Sequence, residues 1–237
     1  GVSHDGGFGE YARVPSDWVV PLPEGMTLRE SMVYGTAGFT SALSVIRLEE
    51  EGVLPDSGPV LVTGATGGVG SMAVAMLSRL GYEVIASTGT LAEKDFLKSI
   101  GASEIISREE VHSGNDRPLN KQRWAGAVDP VGGESLSTIL SSLKYNGTVA
   151  VSGLTGGVKV PATVFPFILR GINLVGIDSV HCPMDRRKKV WKRLAGDLHI
   201  QNHLEKISEV VTLQQLPEVL QKILQGQVNG RKVVKLS

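Results

Sequence analysis

The sequence predicts an α/β fold, a doubly wound six-stranded parallel sheet, and three observations predict it. Short, β-branched apolar runs alternate with helical patterns between about residues 60 and 178. Four glycines, Gly64, Gly67, Gly68 and Gly70, separate the first such run from a helical stretch. The chain of 237 residues is 41% hydrophobic and 20% charged, enough for a sizeable core.

In chain order, residues 10–22 read as short extended pieces that end at Pro21 and Pro23. Thr27 is the expected N-cap of the first helix, because Glu30 three residues on completes a capping box. Helical text then runs to about residue 51, interrupted at Gly35 and Gly38. Strands are expected at 60–63, 83–87, 105–107, 126–131, 148–152 and 173–177. Helices are expected between them at 70–80, 92–100, 118–123, 134–144 and 164–170. Val69, Ala73, Met76 and Leu80 lie on one face at helical spacing, which marks the helix after the glycines. Six strands with helical crossovers predict the order 3-2-1-4-5-6. The alternation stops in the tail, which shows a basic amphipathic helix at 185–198, another helix at 213–225 and a last strand at 231–236. No internal repeat or low-complexity segment is apparent.

Lys plus Arg and Asp plus Glu both number 24, and this balance gives no reason to expect nucleic acid or an anionic membrane as partner. Cys182 is the single cysteine, which excludes an intrachain disulfide and a thiol-rich metal site. No apolar run approaches the roughly 20 residues of a membrane span, and a cytoplasmic protein is the default expectation. The chain opens at Gly1 without an initiator Met and reads like the interior of a longer protein.

The glycine loop parses in three ways. Residues 65–70 form the dinucleotide fingerprint with Ala65 in place of its first glycine. Gly64, Gly67 and Gly70 form a variant shifted by one place. Thr63, Gly64, Gly68 and Gly70 follow the pattern of short-chain reductases. All three make a tight turn that lets backbone approach a pyrophosphate at a helix N-terminus. The short-chain reading fails, since Tyr11, Tyr34, Tyr82 and Tyr145 are followed four residues on by Pro15, Gly38, Ala86 and Val149, never by Lys. A P-loop fails too, because Ser71 and Met72 follow Gly70 where a lysine is required.

In NAD-selective sites an acid about 20 residues beyond the loop accepts the ribose 2′-OH. Here the second strand ends in Ser87, Thr88, Gly89 and Thr90, with no acid before Glu93. Hydroxyls and the Gly89 N–H are able to donate to a 2′-phosphate, which favours NADPH. The charge partner must come from elsewhere. Lys94 is near in sequence, and Arg108 at the end of the third strand would lie beside this corner in the predicted sheet.

Residues 4–11, 34–43 and 64–70 resemble the medium-chain dehydrogenase/reductase superfamily. Residues 124–133, 151–157, 166–171 and 176–180 are more specific and resemble its zinc-independent quinone oxidoreductase branch, which includes acrylyl-CoA reductases. The resemblance implies a GroES-like, β-rich catalytic domain wrapped around a Rossmann domain. Residues 1–34 and 179–237 would be remnants of the former, and 35–178 the latter. By the family's layout about 90 residues would precede Gly1, so the chain alone is expected to lack turnover. The resemblance also implies cofactor contacts: Thr66, Gly67, Gly68 and Val69 at the pyrophosphate, and Thr88, Gly89 and Thr90 at the 2′-phosphate. Gly153, Leu154 and Gly157 would lie at the nicotinamide ribose, Thr36 at the carboxamide, and Asn229, Gly230 and Arg231 over the cofactor. From the residues alone, the alternative for Gly153 and Gly157 is a plain loop turn, and Asn229-Gly230 reads equally as a type I′ hairpin turn. Relatives pair the sixth strand with its copy, so a homodimer through residues 173–182 is expected.

Zinc-dependent members of the superfamily carry a cysteine ligand where this chain has Tyr34 and Gly35. His4, His112, His181, His199 and His203 lack ligand spacing, so no metal is expected. The chemistry implied is hydride transfer to an activated C=C, such as an enoyl thioester, or to a quinone. No general acid stands out; Tyr34 and His181 read better as a packed and a surface residue. The rival readings are an alcohol dehydrogenase and an idle NADPH-binding redox sensor.

Overall fold

The structure is a computed structural model that describes residues 4, 6–112 and 117–236. Asp5 of the opening motif, and residues 1–3 and 237 of the expected catalytic-domain remnant, lie outside the described residues. Strands β1 (Val60–Val62), β2 (Val84–Thr88), β3 (Glu104–Ser107), β4 (Trp124–Asp129), β5 (Leu143–Val151) and β6 (Asn173–Gly176) form one sheet. Its order is β3-β2-β1-β4-β5-β6, with every neighbouring pair parallel, as the alternation predicted.

The buried strands carry apolar side chains on both faces because helices cover both. Helices α1 (Leu28–Glu50), α2 (Gly68–Arg79) and α3 (Lys94–Ser99) cover one face. Helices α4 (Arg108–His112), α5 (Gly133–Ser142) and α6 (Phe165–Arg170) cover the other, over a core of Leu61, Trp124, Leu136, Ile139 and Leu140. Thr27 caps α1 through the predicted box: its hydroxyl accepts from Glu30 N at 3.1 Å, and Glu30 Oε2 accepts from Thr27 N at 2.7 Å. Helix α1 kinks at Gly35 (φ 47°, ψ −151°) but runs regularly through Gly38.

Four expectations need correction. No strand forms among the described residues of 10–22, where the backbone is irregular with one 3₁₀ turn at Ser16–Trp18; an extended segment without a partner strand gains no ladder. No helix forms at 118–123. There the backbone N–H groups of Asn120 and Arg123 donate to Ser141 O and Ser142 O at the end of α5 (2.9 and 2.8 Å), so they are engaged outside any helix. The crossover helix is α4 instead, directly after β3. The tail holds two elements more than expected: beside α7 (Met184–Leu194), α9 (Leu216–Leu224) and β8 (Arg231–Lys235) it forms α8 (Gln201–Ile207) and β7 (Ser208–Thr212). Lastly, β8 pairs parallel to β7 across α9, and Asn229 has no positive φ, so the type I′ reading of Asn229-Gly230 is excluded.

Tail helices α7 and α8 share the α1–α2 core through Val190, Leu194, Leu198, Ile200, Leu204 and Ile207. Trp191 stacks on Phe39 with ring centroids 6.1 Å apart, and Arg193 pairs with Glu49 and Asp197.

Candidate functional site

The carboxyl ends of β1, β2, β4 and β5 face one crevice, where ligands of doubly wound sheets bind. Leaving β1, the chain turns at Gly64 (φ 53°), and Gly67 N donates back to Gly64 O at 2.9 Å. Helix α2 then begins at Gly68. A Cβ on Gly70 would stand 2.2 Å from Gly64 O and 2.7 Å from Ala65 Cα, so only glycine fits where helix crosses strand. The N–H groups of the first turn of α2 have no helical acceptor and carry the positive end of its dipole.

The distant C-terminal turn closes on this loop. Gly230 N donates to Thr66 O at 2.7 Å, and Arg231 Nε donates to Val33 O at 3.2 Å. The Arg231 side chain lies beside Gly68 and beside the Gly35 kink, where a Cβ would stand 3.2 Å from Arg231 Cδ and 2.8 Å from Nη2 respectively. Burial lowers the Arg231 pKa, and no carboxylate pairs with it among the described residues. Thr36 stands exposed one residue past the kink, its carbonyl accepting from Thr40 Oγ1. Val69 is fixed through its carbonyl, which accepts from Ser41 Oγ at 2.7 Å.

At the end of β2, Arg108 lies where the strand order predicted, with Nη2 only 2.6 Å from the position a Gly89 Cβ would take. Its guanidinium has no hydrogen-bond or ion-pair partner among the described residues. With Thr63, Gly64, Thr88, Val111, Val131 and Ser135 it bounds a small hollow of about 30 Å³. Thr88 departs from expectation. It is buried, and its hydroxyl accepts from Thr90 N at 3.1 Å, closing the turn instead of facing outward. Gly89 and Thr90 are exposed there, whereas Lys94 is an exposed residue whose charge acts on Glu110.

Gly153 and Gly157 pack on the turn after β4, the same turn that Gly64 packs against. A Gly153 Cβ would stand 2.0 Å from Pro130 O, and Gly132 and Gly157 form a parallel bridge. Leu154 between them is 64% exposed. Sequence reasoning assigned no role to Asp129, although an acid between a strand and a Gly-Gly pair is a signal for a side chain that closes the turn. Asp129 is wholly buried and accepts from Thr63 Oγ1, Val131 N and Gly132 N.

Tyr34 faces away from the crevice. It is wholly buried, its hydroxyl accepts from Ile200 N at 2.9 Å, and burial pushes its pKa up. His181 lies exposed beside Asp178, with 3.2 Å between Nδ1 and Oδ2. Among the described residues no three His, Cys, Asp or Glu gather to hold a metal. No helix among the described residues is long and apolar enough to cross a membrane.

The zinc-binding dehydrogenase family profile matches residues 68–196. The Bacillus subtilis protein YhfP, a provisional quinone oxidoreductase, is 59% identical over 236 residues, covering 100% of this chain and 72% of that protein. Acrylyl-CoA reductase AcuI of Ruegeria pomeroyi is 50% identical, again over 100% of this chain and 72% of the relative. The crystal structure of YhfP with NAD bound superposes with TM-score 0.96 over 99% of this chain and 71% of that one. The yhdH oxidoreductase of Salmonella enterica in complex with NADP, 47% identical, gives TM-score 0.95 over 99% of this chain and 71% of its own. The chain therefore belongs to the zinc-binding dehydrogenase family of the medium-chain dehydrogenase/reductase superfamily, in the branch of quinone oxidoreductases and acrylyl-CoA reductases.

Proposed function

We propose that this protein is an NADPH-dependent reductase of an activated C=C, such as an enoyl thioester, or of a quinone, acting without zinc. Its relatives are oxidoreductases with NAD or NADP bound, and the crevice fits a nicotinamide dinucleotide. The glycine cradle has no room for a Cβ at Gly70, and Arg231 is a partly buried cation without a counter-charge among the described residues. When bound, the reduced nicotinamide supplies a hydride from C4. The chain's own part is to bind and orient. The turn Thr66, Gly67, Gly68 and Val69, with Asn229, Gly230 and Arg231, takes the pyrophosphate, and Gly153, Leu154, Gly157 and Thr36 flank the nicotinamide end. The observation that carries the choice of NADPH is the Arg108 guanidinium lying over Gly89, unpaired among the described residues, at the end of β2, where Ser87–Thr90 contains no carboxylate. The proposal includes a cytoplasmic homodimer through residues 173–182 and the division into a Rossmann unit, 35–178, and parts of a catalytic domain on either side.

The test is the dissociation constant of NADPH and NADH at fixed ionic strength. Two unit charges about 4 Å apart repel by roughly 4 kcal/mol at an effective dielectric near 20, and screening reduces this to about 1–2 kcal/mol. Thr90→Asp is therefore expected to weaken NADPH roughly tenfold and leave NADH unchanged. Arg108→Ala is expected to weaken NADPH selectively as well. Wild-type preference for NADH, or equal loss of both cofactors in Thr90→Asp, refutes this assignment of the Ser87–Thr90 turn.

A further inference from the structure

Asp129 is a carboxylate with 0% exposure at the end of β4. Removing an ion from water in this way is costly unless hydrogen bonds replace its hydration. No Lys, Arg or His pairs with it among the described residues. Its partners are all donors from the chain: Thr63 Oγ1 and Val131 N (3.1 Å) on Oδ1, and Gly132 N (3.0 Å) on Oδ2. Its own backbone carbonyl accepts from Ser152 N at 3.0 Å. One residue is thus bonded to the segments that leave three adjacent strands, β1, β4 and β5.

Those segments are the walls of the crevice. Thr63 immediately precedes the Gly64 turn, and Gly64 packs on Val131 and Pro130, 3.2 and 3.6 Å from where its Cβ would be. The Gly153–Gly157 wall rests on the same turn: Gly156 N donates to Val131 O at 2.8 Å, and Gly132 bridges Gly157. Gly132 and Gly133 hold φ values of 69° and 66°, a conformation the carboxylate pins through Gly132 N. The Arg108 corner makes no bond to Asp129.

We propose that Asp129 is a positioning residue for the dinucleotide: its carboxyl group sets the spacing between the phosphate turn and the nicotinamide-side loop, without touching the ligand. This rests on the cofactor reading above. It predicts that damage to Asp129 separates the two halves of the ligand. The adenine half, represented by adenosine 2′,5′-bisphosphate, depends on the Arg108 guanidinium and the exposed Gly89–Thr90 turn, neither of which bonds to Asp129 or Thr63 among the described residues, and is expected to keep its affinity within about twofold. Whole NADPH spans both walls and is expected to bind about tenfold more weakly, or 1.4 kcal/mol.

Asp129→Asn keeps the shape but replaces one acceptor by a donor, and Thr63→Val removes one donor while Thr63→Ser retains it. Calorimetric titration of the 237-residue chain with NADPH and with adenosine 2′,5′-bisphosphate reads both halves, and circular dichroism reads the fold. Selective loss of NADPH affinity in Asp129→Asn and Thr63→Val, with recovery in Thr63→Ser, supports the inference. Should Asp129→Asn fail to fold, the Thr63 pair decides by the same comparison. Unchanged NADPH affinity, or equal loss of both ligands, overturns the inference and leaves the cofactor reading intact. A wild-type chain that binds neither NADPH nor NADH overturns both.

Discussion

Gly70 is held as glycine by space alone. Its Cβ would meet three backbone atoms of the preceding turn, at 2.2, 2.7 and 2.8 Å, and none is the end of a flexible side chain that can swing away. Gly70→Ala is therefore expected to cost about 3 kcal/mol, the upper end of overpacking penalties, and to lower the melting temperature by roughly 6–12 °C. Differential scanning calorimetry checks this, and a shift below about 2 °C contradicts the crossing geometry. Gly89 makes the contrast. Its Cβ would meet Arg108 Nη2, the mobile end of a long side chain. Gly89→Ala is expected to leave the melting temperature within about 2 °C and to weaken NADPH severalfold by displacing the guanidinium. Both glycines stand out in the sequence as breaks after a strand, but the sequence does not tell them apart. The atom each Cβ would strike comes from folded neighbours.

Helix α1 is defined at both levels. Its start follows from the Thr27–Glu30 box, and its kink from Gly35, whose φ of 47° suits no side chain well. Thr27→Ala is expected to cost about 1 kcal/mol, seen as a fall of roughly 2–4 °C in melting temperature. The Thr27 backbone N–H, followed by the Thr27 hydroxyl and the neighbouring His199, holds the Glu30 carboxyl below its usual range. A carboxyl with a lower pKa when folded stabilises above its unfolded value, about 4.3, and loses that contribution as pH falls through the folded value. The stability gap between wild type and Glu30→Ala is therefore expected to shrink between about pH 5 and pH 3; a gap that stays constant in urea titrations over that range rules out the charged cap. The helix expected at 118–123 shows the limit of local reading. The backbone donors of Asn120 and Arg123 serve the end of α5, a contact with a distant segment.

At the scale of the whole molecule, β6 is an edge of the sheet. Ile177 N donates inward to Val151 O, so by strand alternation the N–H groups of Leu174 and Gly176 point to the open side. Leu174 is 40% exposed there. The proposed homodimer uses this edge. Light scattering at micromolar concentration is expected to report twice the 25.2 kDa chain. Leu174→Pro, which removes an outward donor and spares the ladder to β5, is expected to give the monomer. A monomeric wild type sinks this assembly.

By itself the sequence determined the sheet order, the glycine cradle, the capped start of α1 and the corner occupied by Arg108. Each follows from spacing within a few residues or from the fixed handedness of crossovers. Only the tertiary structure decided that Gly230 would close on Thr66, that Arg231 would lie without a counter-charge between Gly35 and Gly68, and that Asp129 would tie three strand ends together. Those contacts join segments far apart in the chain, through backbone atoms and buried polar groups. Their positions depend on which apolar faces pack together, and no local pattern records that.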